Sequence, residues 1–201
     1  MPGIRYAQSW MTRRRFLFDS PDRFVAGTVG APGNRTFFLQ ARDGTRIVSV
    51  ALEKVQVAAL AQRLTELLDE LDRRGVEGAD ADQPVDTLAP VLDEPINEAF
   101  RVGTLSMGWD TTDELVLVEA REILDEDEEG GEDDPEGFDD EDEEGPDFLR
   151  VRLAPLAVRT FIAQALRLVG AGRPPCPLCG QPLDPQGHLC PRRNGHGPLL
   201  N

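Results

Sequence analysis

Two stretches of this chain repeat one pattern, in which short extended segments precede a longer segment of helical period. Alternating apolar and polar positions predict the strands, and Gly, Pro, Asn and Asp between them predict the turns. We expect strands at 14–18, 23–29, 36–42 and 45–52 in the first half, and at 100–109, 114–123 and 148–153 in the second.

Each half ends in a predicted amphipathic helix. Apolar residues recur at intervals of three and four through 53–73, which is the period of one helix face. Gly75 ends this helix, and the second is predicted over 155–169, with Pro155 in the first turn, where a missing N–H costs little. The apolar positions of the first helix are Val55, Leu60, Leu64, Leu67, Leu68 and Leu71.

Two turns carry specific predictions. Asp43-Gly44 predicts a two-residue hairpin of type I′, in which both central residues have positive φ. The glycine-rich segment 30–34 predicts a plain hairpin loop. A phosphate-binding loop would lead into a helix or end in Gly-Lys-Ser/Thr, whereas Asn34-Arg35-Thr36 leads into a strand.

Aligned residues indicate that the two halves are copies of one β-β-β-α unit. Phe-Val-Ala-Gly-Thr-Val at 24–29 matches Phe-Arg-Val-Gly-Thr-Leu at 100–105, and Leu-Gln-Ala-Arg at 39–42 matches Val-Glu-Ala-Arg at 118–121. A three-stranded sheet with one helix is marginal alone. We therefore predict an α+β fold in which duplicated β-β-β-α units pack as one domain, with a C-terminal zinc knuckle.

The sequence does not indicate how the sheets of the two units meet. The predicted parts are a disordered leader at 1–12, the duplicated domain at 13–172 with repeats at about 13–74 and 98–172, and the knuckle with its tail at 173–201.

Charge is concentrated in one segment. The formal net charge is −16, but 16 of the 37 acidic residues lie between Asp125 and Asp147, and the other 21 balance the 21 basic residues. Like charges with almost nothing apolar to bury predict a disordered insertion at 125–147.

No stretch is long and apolar enough to cross a membrane, and no signal-peptide core is evident. We therefore expect a cytoplasmic protein.

All three cysteines and both histidines lie between Cys176 and His196. Two cysteines separated by two residues can bind one metal from a single turn, and thiolate with imidazole ligands selects Zn²⁺. A closed set of four ligands is typical of a structural zinc ion. The alternative that His196 replaces His188 stays open. The predicted ligands are Cys176, Cys179, His188 and Cys190.

Several of these blocks resemble an uncharacterised actinobacterial conserved-hypothetical family, the domain of unknown function 3090. The resemblance rests on residues 24–30 and 32–41, on Pro-Pro-Cys-Pro-Leu-Cys-Gly at 174–180, and on Gly-His-x-Cys-Pro at 187–191. It implies no activity. The family pattern usually has Tyr where this chain has His196, which favours His188 as the ligand.

The predicted function is that of a zinc-stabilised binding or adaptor protein without enzymatic activity, whose partner is a protein. One alternative is a single-stranded nucleic-acid binder that is masked by its acidic insertion. Another is an enzyme with a site in a groove between the two repeats, which Trp109 would border if it is not in the core.

Overall fold

The computed structural model describes residues 13–31, 33–80, 84–88, 90–123, 145–171 and 176–179. The predicted leader at 1–12 and residues 125–144 of the predicted acidic insertion lie outside the described residues. Every predicted strand and both helices are present, with bounds that differ by one or two residues. The elements are β1 Arg15–Phe18, β2 Arg23–Val29, β3 Thr36–Asp43, β4 Arg46–Leu52, α1 Lys54–Arg73, β5 Glu98–Asp110, β6 Leu115–Glu122, β7 Phe148–Leu153 and α2 Pro155–Gly170.

The strands form one mixed seven-stranded sheet in the order β1-β7-β6-β5-β4-β3-β2. Antiparallel pairs build each half, β2-β3-β4 and β5-β6-β7, and the halves join edge to edge where β4 runs parallel to β5. Parallel neighbours need a crossover connection, which α1 supplies. The predicted strand at 14–18 begins the first half in sequence, yet β1 pairs in parallel with β7 at the far edge of the second half.

One face of this sheet carries the main core with both helices. Helix α1 buries one stripe of side chains, and α2 packs against α1 and reaches β2, where the rings of Phe24 and Phe161 stack at 4.9 Å. The apolar residues from all seven strands that face the helices belong to this single cluster. The two halves therefore share one core. Neither helix in the described part of the chain is long and apolar enough to cross a membrane.

A smaller apolar cluster lies on the opposite face of the first half, where Leu92 and Ile96 of the segment after α1 pack against the sheet. Gly27 makes room for this cover, because a Cβ at that position would lie 2.5 Å from the Leu92 side chain. The residues of the sheet beneath it are Val25, Phe38 and Ala51.

Strand β5 contains a β-bulge at Gly103. Val102 pairs with Glu122 and Thr104 with Arg121, so that Gly103 is an extra residue in the strand. A bulge changes which alternate side chains face the core. Before it the core-facing residues have even numbers, and after it odd ones. They are Phe100 and Val102, followed by Leu105, Met107 and Trp109.

Two local predictions were wrong. The hairpin loop is Gly44-Thr45 rather than Asp43-Gly44, because Asp43 still pairs with Arg46. Gly44 has a φ of +55° and Thr45 is not a positive-φ residue, which is the pattern of a type II′ turn with glycine first. A β-branched residue is strained at positive φ, so Thr45 excludes the type I′ geometry.

The inward stripe of α1 also differs at its start. Val55 is 72% exposed, and the first apolar side chain buried in this helix is that of Val57. Leu67 is only partly buried against the core. The intervals of three and four identified the helix correctly but placed the first buried residue at Val55 instead of Val57.

Candidate functional site

Two of the four predicted zinc ligands lie in the described residues. Cys176 is 2% exposed and Cys179 is partly exposed, and residues 177–179 form a turn between them. The backbone N–H of Leu178 donates a hydrogen bond to the Cys176 Sγ at 3.4 Å. His188 and Cys190 lie outside the described residues, as does His196. No group of three metal-binding side chains occurs within the described part of the chain.

The turn suits metal binding by its chemistry. A thiolate is stabilised by N–H donors and by burial beside a cation, and a C-x-x-C turn brings two sulfur atoms to one side of the chain. The observed N–H to Sγ bond is one such donor. These residues therefore fit the first half of a zinc knuckle.

The predicted hairpin loop at 30–34 is confirmed, because Val29 pairs with Thr36 across it and no helix follows. Gly30 and Gly33 have φ values of +101° and +96°, which only glycine adopts readily. At Gly30 an added Cβ would also lie 2.4 Å from the carbonyl oxygen of Asn34. The glycines thus form a tight turn between two strands.

In the first half, a buried amide faces the covered side of the sheet. Gln40, 1% exposed, lies in the middle strand β3 and donates from Nε2 to the Ser49 Oγ at 3.0 Å. The same amide exchanges hydrogen bonds with the backbone of Asp93, accepting from its N–H at 2.8 Å and donating to its carbonyl at 2.9 Å. The Asp93 carboxylate in turn pairs with Arg23 at 2.6 Å. Gln40 therefore fixes the covering segment to the sheet.

In the second half, a buried carboxylate occupies the matching position. Glu119 is fully buried in the middle strand β6, 2.7 Å from the Arg150 Nε and 2.6 Å from the Arg121 Nε. Arg150 is itself 8% exposed, and its guanidinium lies 5.1 Å from the centre of the Phe148 ring. Glu119 is thus held between two charged donors, which a buried carboxylate requires.

Arg13 extends this cluster. Its guanidinium lies 4.4 Å from the Phe148 ring centre, and its Nε donates to the Pro146 carbonyl at 3.0 Å. Burial lowers the pKa of the Arg13 guanidinium, and nearby Arg121 lowers it further. The cluster gathers several cations, but those of Arg13 and Arg150 are packed inward and not presented at the surface.

A groove lies where the first half meets the second. Strand β5 has 13 residues and β4 has seven, and the two pair only around Ser49–Glu98 and Ala51–Arg101. From Thr104 to Asp110, the edge of β5 that faces away from β6 has no strand partner among the described residues. The amide of Gln56 in α1 donates to the carbonyls of Val102 and Gly103, and so marks where this open edge begins.

The groove between this edge and α1 is small and largely apolar. Its volume is about 170 Å³, below the roughly 300 Å³ at which small-molecule sites begin. Arg63 is the one titratable residue among those that line it. The lining residues are Gln56, Ala59, Leu60, Arg63, Gly103, Leu105, Ser106 and Met107.

The far end of β5 turns into β6 through a charged loop. The Asp110 Oδ1 accepts from the N–H groups of Thr112 at 2.8 Å and Asp113 at 3.2 Å, and these bonds hold the pKa of the Asp110 carboxyl below its usual value. Arg152 binds Asp110 and Asp113 at 2.6 Å each, and its pKa is raised mainly by the hydrogen bond to Asp113. Trp109, beside this loop, is half-buried against the core.

Sequence reasoning proposed a groove between the repeats without identifying its lining residues, and it missed the Glu119 cluster. The alignment of Gln40 with Glu119 placed both residues in predicted strands, and a polar residue repeated at the centre of two strands was a signal of buried pairing. The groove had a weaker signal, namely that the strand predicted at 100–109 is longer than its neighbour at 45–52. Neither pattern identifies the side of α1 on which β5 passes.

Comparison with known proteins gave one match. The sequence model of the family described as "Protein of unknown function (DUF3090)" matches residues 16–190. No curated protein and no solved structure matches the chain.

Proposed function

The chain belongs to the DUF3090 family, to which no function is assigned, and we propose from its own residues that it is a zinc-stabilised binding or adaptor protein without enzymatic activity. Its partner is a protein. The zinc ion is structural and is bound by Cys176, Cys179, His188 and Cys190. A segment this short has no core of its own, so zinc binding supplies its folding free energy.

The hydrogen bond from the Leu178 N–H to the buried Cys176 sulfur carries the zinc part of this proposal. A neutral buried thiol is stabilised little by a backbone N–H donor, whereas a metal-bound thiolate is stabilised by each donor. Cys179 follows at the spacing that lets two thiolates bind one ion.

The groove between the halves favours binding over catalysis. An enzyme with a site between the repeats would need a general acid or base there, and proton transfer is normally performed by His, Asp, Glu, Lys, Cys or Tyr. The groove residues within the described part of the chain include none of these. An open strand edge beside an apolar groove is instead a common protein-binding surface.

The nucleic-acid alternative receives less support. Single-strand binders present arginines and aromatic rings to solvent along a groove. In the cluster around Glu119, Arg13 is 9% exposed, Arg150 is 8% exposed and Phe148 is fully buried. These groups stabilise one another, so we do not favour them as a surface for stacking bases.

We further propose that the two halves arose by duplication. Gln40 pairs with Ser49 across β3 and β4, and Glu119 pairs with Arg150 across β6 and β7. The sequence alignment of the halves matches Gln40 with Glu119, and the strand pairing then makes Ser49 and Arg150 equivalent. A copied unit accounts for the order of elements and for this register. The aligned segments 24–29 and 100–105 do not share it, because Val25 pairs with Gln40 whereas Ser106 pairs with Glu119.

The metal is tested by its stoichiometry. We expect protein purified without chelators to hold one zinc ion per chain by inductively coupled plasma mass spectrometry. Cys176→Ser and His188→Ala should lose the ion, because each removes a ligand. His196→Ala is the matched control and should keep it. A zinc-free wild type would overturn the proposal, and loss only in the His196 variant would move the fourth ligand to that residue.

The adaptor role is tested in the same preparation. The intact chain and a version ending at Arg173 are used for affinity capture from native lysate, and bound proteins and nucleic acids are identified. Capture of a defined protein by the zinc-loaded intact chain alone makes the knuckle the recognition element. Capture that survives truncation assigns recognition to the α+β domain, and enrichment of nucleic acid instead of protein would overturn the proposal.

A further inference from the structure

The open edge of β5 offers a strand for another strand to join. In any strand, alternate residues direct their N–H and C=O groups to opposite sides, and between Thr104 and Asp110 one side is bound by β6. No described residue hydrogen-bonds to the backbone on the other side. Unpaired strand edges attract further strands unless a protein blocks them with charges, prolines or a covering segment. Between Thr104 and Trp109 this strand has no proline and no charged residue.

The side chains beside this edge select for a particular sequence. Leu105, Met107 and Trp109 lie on the helix side of β5 and are only partly buried. Methionine adapts its shape to varied partners, and the tryptophan ring gives a large apolar contact. A strand added here would place every second side chain over this surface, so two or three alternate apolar residues would be favoured.

Charge supplies a further requirement. Arg63 lies at the groove, is exposed and forms no ion pair within the described residues. The neighbouring carboxylate of Glu66 accepts a hydrogen bond from Gln62 instead. Arg63 is therefore the charged side chain that α1 presents to the groove, and the exposed Ala59 lies one turn before it on the same helical face.

We propose that this groove binds an extended segment of a partner protein, which adds as a strand to Thr104–Asp110. Its apolar side chains alternate over Leu105, Met107 and Trp109, and a carboxylate of the segment pairs with Arg63. The inference rests on the proposed function in that it names the surface and the kind of partner of a binding protein. Main-chain hydrogen bonds supply the affinity, and the alternate side chains and the carboxylate supply the specificity.

Two other occupants fit less well. A second copy that paired β5 with β5 would bring two α1 helices together and oppose their Arg63 charges. The acidic segment of this chain, 125–147, has the required charge, but Phe138 is its only large apolar side chain. It lacks the alternating apolar residues that the groove selects.

The test begins with the full-length, zinc-loaded protein and a phage-displayed library of random twelve-residue peptides. We expect selected peptides to share apolar residues at alternate positions and at least one Asp or Glu. The best peptide, labelled with fluorescein, is then titrated by anisotropy. Hydrogen exchange should show slower exchange of amides within Thr104–Asp110 when the peptide is bound, because strand addition forms new backbone hydrogen bonds.

Charge reversal provides the decisive variants. Arg63→Glu should weaken binding of the peptide about tenfold, since it replaces an attractive charge pair with a repulsive one. Ala59→Glu should weaken it at least as much, because it also narrows the groove. Arg167→Glu, at another exposed arginine, in α2, is the matched control and should leave binding unchanged.

Several results would overturn the proposal. They are a selection without the alternating pattern, equal affinity of the Arg63 and Arg167 variants, and protection of α1 alone without β5. Protection of Thr104–Asp110 that rises with protein concentration, together with a dimeric mass by light scattering, would show that a second copy of the chain occupies this strand edge. Tighter peptide binding after deletion of 125–144 would show that the acidic segment competes for the groove.

The zinc variants separate this inference from the proposed function. If Cys176→Ser loses zinc and still binds the peptide, the groove acts independently of the knuckle. If the wild type holds no zinc but binds the peptide with the expected sensitivity to Arg63, the groove proposal stands and the zinc proposal fails.

Discussion

Gln40 and Glu119 occupy matching places in the two halves of the sheet. Each lies in the middle strand of three and pairs with a residue of the next strand, Ser49 or Arg150. Both side chains are almost completely buried. The first half satisfies its polar group with the backbone of a covering segment, and the second half does so with arginine side chains.

Hydrogen-bonding capacity explains the difference. An amide both donates and accepts, so Gln40 can satisfy the N–H and C=O of one residue, Asp93, and so fix a passing segment of backbone. A carboxylate only accepts, so Glu119 needs donors and can use charged ones. Matching backbone positions therefore do not require matching chemistry, because the residues that cover each position decide which side chain fits.

The largest contrast should come from truncating the two residues. Glu119→Ala should lower the free energy of unfolding by about 3–5 kcal/mol, because it removes the buried counter-charge of Arg150 and Arg121. Gln40→Ala should cost about 1–3 kcal/mol, since it leaves only neutral groups without a partner. Urea unfolding measures both. Glu66→Ala, on the exposed face of α1, is the control and should change stability by less than about 0.5 kcal/mol. Equal costs in the two halves would contradict the comparison.

The two glycines that the sequence alignment matches, Gly27 and Gly103, should differ less. A Cβ on Gly103 would lie 2.8 Å from the Cα of Ile123, and one on Gly27 would lie 2.5 Å from the side chain of Leu92. Side chains move more easily than backbone, so within the roughly 1–3 kcal/mol of overpacking Gly103→Ala should cost more than Gly27→Ala.

A second variant and a control sharpen this test by urea unfolding. In a Leu92→Ala background, Gly27→Ala should cost little, because the clashing atoms are gone. Gly170→Ala meets no atom within 4 Å and should be neutral or slightly stabilising. A Gly27 variant that is worse than the Gly103 variant would show that the covering segment is the more rigid of the two.

The smallest expected effect is the coupling between Glu119 and Arg150. Glu119→Gln with Arg150→Ser gives the second half the neutral pair of the first. The double variant should be more stable than the sum of the single variants predicts by about 1 kcal/mol or more, because each single change leaves one polar partner mismatched. A double-mutant cycle by urea unfolding measures this value, and simple additivity would mean that the two side chains do not depend on each other.

The pattern of apolar positions predicted the elements well, because burial of one face leaves a period of two in strands and 3.6 in helices. The pattern failed where local structure depends on a single residue. The conformation of Thr45 shifts the hairpin loop by one residue, and Val55 lies outside the buried stripe of α1. The sequence alignment already matched Gln40 with Glu119, the two buried polar residues of the middle strands. Of the candidate sites, spacing alone predicts Cys176 and Cys179 as zinc ligands, and this stays a prediction. The groove at β5 was anticipated only as a groove between the repeats, without its residues.

The sequence by itself determined two β-β-β-α units, the neutral body with one acidic segment, and a C-x-x-C turn in the C-terminal region. These features are local, so nearby residues encode them. The tertiary structure alone decided that the halves join edge to edge through β4 and β5, that β1 pairs with β7, and that the bulge at Gly103 redirects the side chains of β5. Closing a longer loop costs only slightly more entropy than closing a short one. Chain order therefore leaves the choice of strand partners open, and the shared core decides it.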